Sequence, residues 1–301
     1  MKTDRRTFVK TGAIALAGTA MISNSLFGAS RQKSITGLQL YSIRDDMTAD
    51  PRGSLAQLAE IGYINLEHAN YIDRKFYGYT PPEFKKVLSD LGLKMISGHT
   101  VMERQHWDEA RKDFSDSWKF TVDDAAYLGQ KYVISPWIDE SMRRNYDDFR
   151  HYMDIFNKCG ELCRKKGMKF GYHNHDFEFS EKLNGERLFD IMMRSIDPEL
   201  VVVQVDIGNL YGGGAVAIDV VNQYPGRFEN VHVKDVMKTG TGEQYESTII
   251  GEGVADVRKV LELLKKTGSG QVLIIEQEAY QGKTPFECVK TDLGIMKDWG
   301  Y

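Results

Sequence analysis

Short apolar runs alternate with longer amphipathic stretches from residue 35 to the end of this 301-residue chain. Eight of these runs have the length and the β-branched or aromatic content typical of buried strands. They are ITGLQLYSI (35–43), YINLEHA (63–69), LKMISGH (93–99), KYVISPW (131–137), MKFGYHNH (168–175), LVVVQVD (200–206), FENVHVKD (228–235) and QVLIIEQE (271–278).

A stretch with helical spacing follows each predicted strand, and several of these stretches end in glycine. The predicted helices span residues 54–62, 80–92, 108–128, 147–166, 185–195, 215–224, 254–268 and 285–299. Strict alternation predicts an α/β fold with a parallel sheet. Eight units in one chain favour a single-domain (β/α)8 TIM barrel over residues 31–301. An open doubly wound sheet is the alternative, but RDDMTADP (44–51) lacks its glycine-rich phosphate fingerprint.

The first 30 residues have the character of an export signal. Arg5 and Arg6 precede a short, alanine-rich apolar run and then the small residues FGAS (27–30). This order resembles a twin-arginine signal peptide, which carries folded proteins to the periplasm. The apolar run is too short and interrupted for a stable membrane anchor. We therefore expect a periplasmic protein without stable membrane insertion after signal cleavage.

The charge pattern argues against a nucleic-acid partner. Net charge is −4, with acidic and basic residues mixed along the chain and no basic stripe. The three cysteines, Cys159, Cys163 and Cys288, have neither a disulfide framework nor the CxxC spacing of a zinc site. We expect a small-molecule ligand, and the sequence leaves open whether the chain forms a homodimer.

Polar residues gather where the predicted strands end, which is where TIM barrels carry their active sites. In chain order they are Tyr41 with Arg44, Glu67 with His68, His99, Ser135 with Pro136 and Trp137, His173 with Asn174 and His175, Asp206 with Asn209, His232 with Lys234 and Asp235, and Glu276 with Glu278. Any single buried carboxylate costs several kcal/mol unless it is paired or binds a metal. A mixed set of carboxylates and imidazoles suits Mn²⁺, and also Co²⁺, Zn²⁺ or Mg²⁺. Such a cation could polarise the carbonyl of a hydroxy-ketone, so that a flanking base removes the neighbouring proton to give an enediolate.

The same motifs resemble the xylose-isomerase-like barrels, a family of sugar phosphate isomerases and epimerases that includes inosose dehydratases and lyases of 3-keto-glycosides. The resemblance covers nearly all of residues 35–301. It rests on LQLYSIRD, GYINLE, SGH, YHNHDFEF, VDIGN, VHVKD and IIEQE.

The resemblance implies one divalent metal held by residues at the ends of strands five to eight. Asp206, His232 and Glu276 match three of the family's ligands, whereas strand five offers no glutamate in FGYHNH. Alternation along the strand puts His173 and His175 on one face. His173 is therefore our expected fourth ligand, with His175 as the alternative.

The departure at strand five shifts the expected chemistry. The catalytic candidates are Glu276 as a proton shuttle, His173 as a base and Lys234 as the cation at the developing oxyanion. For Lys234 a salt bridge with Asp235 or another acid is the alternative. The expected substrate-binding residues are Tyr41, Arg44, Glu67, His99, Trp137, His175 and Asn209. Phe177 is either a sugar platform or a core residue.

These residues lead to one expected function and one alternative. We expect a metal-dependent isomerase, epimerase or lyase that acts on an unphosphorylated keto-sugar or keto-glycoside, because phosphorylated sugars are scarce outside the cytoplasm. The alternative is a non-catalytic periplasmic barrel that binds a sugar and has lost the chemistry.

Overall fold

The computed structural model describes residues 34–240 and 244–301, and it confirms the predicted barrel. The predicted signal peptide (1–30) lies outside the described residues. The eight barrel strands are β1 (Ile35–Gln39), β2 (Asn65–His68), β3 (Lys94–Gly98), β4 (Tyr132–Ser135), β5 (Lys169–His173), β6 (Val201–Asp206), β7 (Asn230–Val233) and β8 (Val272–Ile275). All eight are parallel, in the order β3-β2-β1-β8-β7-β6-β5-β4. A parallel bridge between His99 and Ile134 joins the β3 and β4 sides.

Helices follow the strands and cover the outside of the barrel. The helices of the described residues are α1 (Arg44–Ala49), α2 (Pro51–Ile61), α3 (Pro81–Asp90), α4 (Asp116–Leu128), α5 (Tyr146–Arg164), α6 (Phe177–Ser180), α7 (Leu188–Ser195), α8 (Ala217–Gln223), α9 (Val257–Lys266) and α10 (Pro285–Asp298). Gly62 and Gly129 end α2 and α4 at φ values of 103° and 87°, which glycine adopts without steric cost. Within residues 34–240 and 244–301, no helix combines the length and hydropathy needed to cross a membrane.

Two predicted elements are wrong in their bounds. The first strand ends at Gln39 rather than near Ile43, and residues 40–43 form a 3₁₀ turn. The helix predicted from Asp108 begins at Asp116, because Ser115 caps it by accepting a hydrogen bond from Trp118 N. The preceding residues form a small antiparallel hairpin, Trp107–Asp108 with Asp113–Phe114.

The interior of the barrel is divided into an apolar floor and a polar layer. Ile96, Tyr132, Ile134, Val202, Val272 and Ile274 form a separate buried cluster. Val202, Gln204 and Asp206 lie on one face of β6 because side chains alternate along a strand. The polar residues therefore stand above the apolar floor, at the carboxyl ends of the strands.

Candidate metal and substrate site

Glu67 is the centre of the polar layer. It is fully buried, and its Oε1 accepts a hydrogen bond from Gln39 Nε2 at 2.8 Å. Its Oε2 accepts from Gln204 Nε2 at 2.8 Å and from the Ser97 hydroxyl. Strand register explains the arrangement, since Gln39, Glu67 and Ser97 are adjacent partners on β1, β2 and β3. Glu67 therefore has no free oxygen for a substrate and instead positions its neighbours.

His232 connects Glu67 to the layer above it. Its Nε2 lies 2.6 Å from Glu67 Oε1, and its Nδ1 lies 2.9 Å from Glu276 Oε2. Burial lowers the pKa of His232, but the two carboxylates outweigh burial and raise that pKa to about 10. For the Glu67 carboxyl, burial acts in the opposite direction and raises the pKa, yet His99 and His232 hold this pKa well below its usual value. As a metal ligand, His232 would lose the Nδ1 proton and keep Nε2–H on Glu67, an outer-shell arrangement common at metal sites.

His173 is the histidine of β5 that faces the same layer. Its Nδ1 lies 3.2 Å from Gln204 Oε1, and Asn209 Nδ2 lies 3.3 Å from its Nε2. The amide of Asn209 is a donor, so Nε2 offers the lone pair and Nδ1 carries the proton. Burial, followed by the neighbouring His232, lowers the pKa of His173 well below its usual value. His173 is therefore neutral, as a metal ligand must be.

Asp206 ends β6, and its two carboxylate oxygens have different surroundings. Oδ1 accepts hydrogen bonds from Gly208 N at 2.7 Å and Asn209 N at 2.8 Å. Oδ2 is buried and accepts no hydrogen bond from residues 34–240 or 244–301. It lies 3.9 Å from both His173 Nε2 and His232 Nδ1. A buried carboxylate oxygen of this kind is costly unless a cation faces it.

Lys234 provides a cation beside this oxygen. Its Nζ lies 2.9 Å from Glu276 Oε2, 3.1 Å from Glu278 Oε2 and 3.3 Å from Asp206 Oδ2. Burial lowers the pKa of Lys234, but these carboxylates outweigh burial and raise it well above its usual value. Lys234 thus pairs with nearby acids, though not with Asp235.

Asp235 has a different task. Its carboxylate accepts hydrogen bonds from the backbone N–H groups of Val236, Gly251, Gly253 and Ala255. It therefore fixes the loop after β7 and does not face Lys234.

The four residues expected to bind a metal lie together. One ligand atom from each of His173, Asp206, His232 and Glu276 falls within 4.8 Å of the others. Metal–ligand bonds of about 2.0–2.3 Å bring ligand atoms into this range. The donor set, an Asp206 Oδ2 that accepts no hydrogen bond from the described residues, and the oriented histidines therefore fit a divalent cation. The Lys234 ammonium competes with that cation for Asp206 and Glu276.

A cavity of about 830 Å³ opens above the polar layer. Its inner end is lined by His99, His173 and Glu276. Of the residues expected to bind substrate, the cavity also includes Tyr41, His175 and Asn209. Burial, together with Lys234, lowers the pKa of His175 to about 3, so His175 is a neutral cavity wall.

Four other residues considered for the substrate site lie outside the cavity lining. Arg44 is not part of the cavity lining and bonds Tyr280 Oη at 3.1 Å. Trp137 is 42% exposed and packs edge-on against Phe177 rather than lining the cavity. Phe177 is buried, with the Arg143 guanidinium 4.1 Å from its ring centroid, so it is a core residue. Glu67, as described above, lies beneath the cavity.

Sequence reasoning missed part of the supporting layer. Gln39, Ser97 and Gln204 all bind Glu67, yet none was predicted. Gln204 stands two residues before Asp206 on a strand of otherwise apolar residues, and that signal could have found it. Glu178 was also missed. It accepts hydrogen bonds from the Tyr172 hydroxyl and from His175 N, which fixes the loop after β5.

The family follows from a match to a family model. The model of the xylose isomerase-like TIM barrel matches residues 55–299. The chain belongs to the xylose isomerase-like TIM barrel family. The family resemblance inferred from the strand-end motifs is thereby confirmed.

The chain is similar to named enzymes and to solved structures. An inosose dehydratase from Geobacillus kaustophilus is 27% identical over 199 residues, which is 60% of this chain and 61% of the relative. A crystal structure of a sugar phosphate isomerase/epimerase from Parabacteroides distasonis has a TM-score of 0.75 and 26% identity, covering 91% of this chain and 97% of that one. The structure of an IOLI protein with a bound zinc atom is 14% identical with a TM-score of 0.66, covering 88% of this chain and 97% of that one. At that identity it shows the shared fold.

Proposed function

We propose that this protein is a metal-dependent isomerase, epimerase or lyase that acts on an unphosphorylated keto-sugar or keto-glycoside through an enediolate. The observation that carries the proposal is the buried cluster of donor atoms from His173, Asp206, His232 and Glu276, which lie within 4.8 Å of one another. The relatives support an isomerase, epimerase or lyase, because they are named as an inosose dehydratase and as a sugar phosphate isomerase/epimerase. The predicted export signal favours a periplasmic location and an unphosphorylated substrate.

The chain's own groups have distinct tasks in this proposal. His173, Asp206, His232 and Glu276 hold one divalent ion, with Mn²⁺ as our first choice and Co²⁺, Zn²⁺ or Mg²⁺ as alternatives. When bound, the ion supplies Lewis-acid polarisation of the substrate carbonyl. Burial raises the pKa of Glu276, but Lys234 and His232 outweigh it and hold the pKa well below its usual value. Glu276 is therefore ionised.

Proton transfer and charge stabilisation fall to residues that face the cavity or border it. The carboxylate of Glu276 lines the cavity and can accept a proton there. His173, which we expected to act as a base, would hold the ion through Nε2 and carries a proton on Nδ1, so it has no free lone pair for that task. The Lys234 ammonium, 2.9 Å from Glu276, stabilises negative charge as it develops on the substrate oxygen. His99 and the neutral imidazole of His175 line the cavity and can bind the hydroxyl groups of the sugar ring.

The test is proton exchange of a keto-sugar panel in D2O, followed by NMR. We expect deuterium to enter the carbon beside the carbonyl with the metal-loaded protein and a loss of at least about a hundredfold in Glu276→Gln. Glu60→Gln, an exposed change on α2, is the matched control and keeps the parent rate. Absence of exchange in every keto-sugar would contradict the proposal.

One observation favours the non-catalytic sugar-binding barrel as a second candidate. Lys234 Nζ lies against Glu276 Oε2 and Asp206 Oδ2, two of the oxygens that a metal would bind. An internal ammonium can compensate these carboxylates without a metal. Tight sugar binding by a metal-free protein, without proton exchange, would favour this candidate.

A further inference from the structure

The cavity extends beyond the residues that would hold a single reacting sugar ring. Its volume is about 830 Å³. Cavities of about 300–1,000 Å³ accommodate drug-sized ligands, which are much larger than one sugar ring. His99, His173 and Glu276 mark the inner end. Much of the outer wall comes from the loops after β2 and β3 and from α4, outside the barrel strands.

The outer wall exposes an unusual amount of apolar surface. Ile72 is 62% exposed and Phe120 is 41% exposed, and both line the same cavity as Tyr71. Ile72 and Tyr71 belong to a hairpin in which Tyr71–Ile72 pairs with Lys75–Phe76. Exposed apolar side chains that cluster in a concave surface are typical of ligand sites.

The hairpin is held rigidly against α4. Asp124 on α4 is buried and binds Arg74 in a two-pronged ion pair, with Nη2–Oδ1 at 2.8 Å and Nε–Oδ2 at 3.0 Å. Tyr71 Oη donates to the same carboxylate at 2.6 Å. The turn residues Asp73 and Arg74 have φ values of 49° and 60°, the left-handed conformation that a tight two-residue hairpin turn requires. The wall is therefore formed before a ligand binds, which lowers the cost of binding.

The outer wall mixes aromatic and polar groups. The Arg74 guanidinium carbon lies 4.2 Å from the centroid of the Phe120 ring. Glu103, His106 and Ser117 line the same region and offer hydrogen-bonding groups. Aromatic rings contact the apolar face of a sugar ring, whereas Arg, Glu and Ser bind hydroxyl groups at its edge. These groups also have partners within the protein, and a purely apolar substituent would make no use of the hydrogen-bonding capacity that they retain.

We propose that Tyr71, Ile72, Arg74 and Phe120 form an outer subsite for a second sugar ring, so that the substrate is a keto-disaccharide rather than a free keto-sugar. The reacting ring lies at the inner end beside Glu276, and the glycosidic bond spans the two parts of the cavity. This assignment rests on the proposed function for the reaction at the inner end. The subsite itself is a matter of binding and can be tested without turnover.

The experiment compares three glycosides of one keto-ring: the disaccharide, the 4-nitrophenyl glycoside and the methyl glycoside, in gluco and galacto series. We measure kcat/KM for each and, by calorimetry, the Kd of the corresponding unoxidised compounds, which cannot react. We expect the kcat/KM of the disaccharide to be at least about tenfold higher than that of the methyl glycoside, and its Kd to be at least about tenfold lower. Phe120→Ala should reduce this preference for the disaccharide over the methyl glycoside about tenfold. Tyr127→Ala, which removes an exposed aromatic ring on the same helix, should leave the preference unchanged.

The outcomes separate the subsite from the reaction. Deuterium exchange with all three glycosides at equal efficiency would leave the proposed function standing and overturn the subsite. A preference for the 4-nitrophenyl glycoside over the disaccharide would overturn the assignment of a sugar ring. If no compound reacts, the proposed function fails. The Kd values of the unoxidised disaccharide and methyl glycoside then still decide whether the subsite exists. Tighter disaccharide binding that Phe120→Ala removes supports the subsite, and equal or undetectable binding overturns it.

Discussion

Glu67 and Asp206 are both fully buried carboxylates inside the same barrel, yet their surroundings differ. Glu67 receives hydrogen bonds at both oxygens from uncharged side chains and contacts His232 as well. Asp206 accepts hydrogen bonds from backbone N–H groups at one oxygen, whereas its other oxygen accepts none from the described residues and lies 3.3 Å from the Lys234 ammonium. The hydrogen bonds of Glu67 hold its layer rigid and orient His232. The second oxygen of Asp206 is compensated by an ammonium with which a divalent ion would compete.

The largest expected effect is on the Glu67 layer. Glu67→Gln places an amide donor against donors that already point at this side chain and removes a counter-ion of His232. We expect the free energy of unfolding to fall by about 3 kcal/mol, measured by denaturant titration. Glu60→Gln, an exposed change on α2, should stay within about 0.5 kcal/mol of the parent. An unchanged stability of Glu67→Gln would remove the basis of the comparison.

A third buried carboxyl, Glu178, sharpens the comparison through pH. Burial raises its pKa from 4.5 to about 7, and the hydrogen bond from Tyr172 only partly opposes this. The folded state thus holds the proton more tightly, so this contribution to stability is fully present below pH 4.5 and is lost as pH rises through about 7. Relative to Glu178→Gln, the parent should lose up to roughly 1.4 kcal/mol per pH unit in that window.

Asp292 on α10 allows the effect of a buried carboxyl on stability to be separated from an effect on activity. Burial raises its pKa to about 7 as well, but it binds Ile250 N and lies outside the cavity lining. Asp292→Asn should flatten the stability profile like Glu178→Gln and leave the pH profile of activity unchanged. If the stability of the parent changes with pH between 4.5 and 7 in the same way as that of both variants, the expected loss of stability with rising pH is wrong.

Lys234→Met tests the competition in the upper layer. Without the ammonium, Asp206 and Glu276 lose their internal cation, so a divalent ion should gain more by binding. We expect Mn²⁺ to raise the melting temperature of this variant by roughly 2–4 °C more than it raises that of the parent. Lys259→Met, an exposed change on α9, is the control. A smaller shift than in the parent would mean that Lys234 supports the metal rather than competes with it.

The smallest stability effect is expected at Asp206 itself. Asp206→Asn keeps an oxygen that can accept the hydrogen bonds from Gly208 N and Asn209 N. It removes a carboxyl group whose pKa is raised by burial, which means that its negative charge is costly in the folded state. We expect the metal-free variant to unfold within about 1 kcal/mol of the parent, measured by denaturant titration in chelator. A loss as large as that of Glu67→Gln would show that the two carboxylates are equivalent.

The sequence was sufficient for the barrel but only partly for the site. Glycine-terminated helices and β-branched strands are local signals, and they predicted eight units. The prediction of a helix from residue 108 was wrong at the hairpin Trp107–Phe114, because the spacing of apolar residues there also fits a helix. The contact between Glu67 and His232 joins residues 165 positions apart, and barrel closure creates it. No local pattern could therefore show that Glu67 lies beneath the cavity rather than within it.

Metal content tests the central claim most directly. The chain beginning near Arg31 would be dialysed and analysed by elemental mass spectrometry beside Asp206→Ala and His232→Ala. We predict about one divalent ion per chain in the parent and a loss of that ion in both variants. A parent that holds no metal, even after reloading with Mn²⁺, Co²⁺ or Zn²⁺, would contradict the account and favour a sugar-binding barrel.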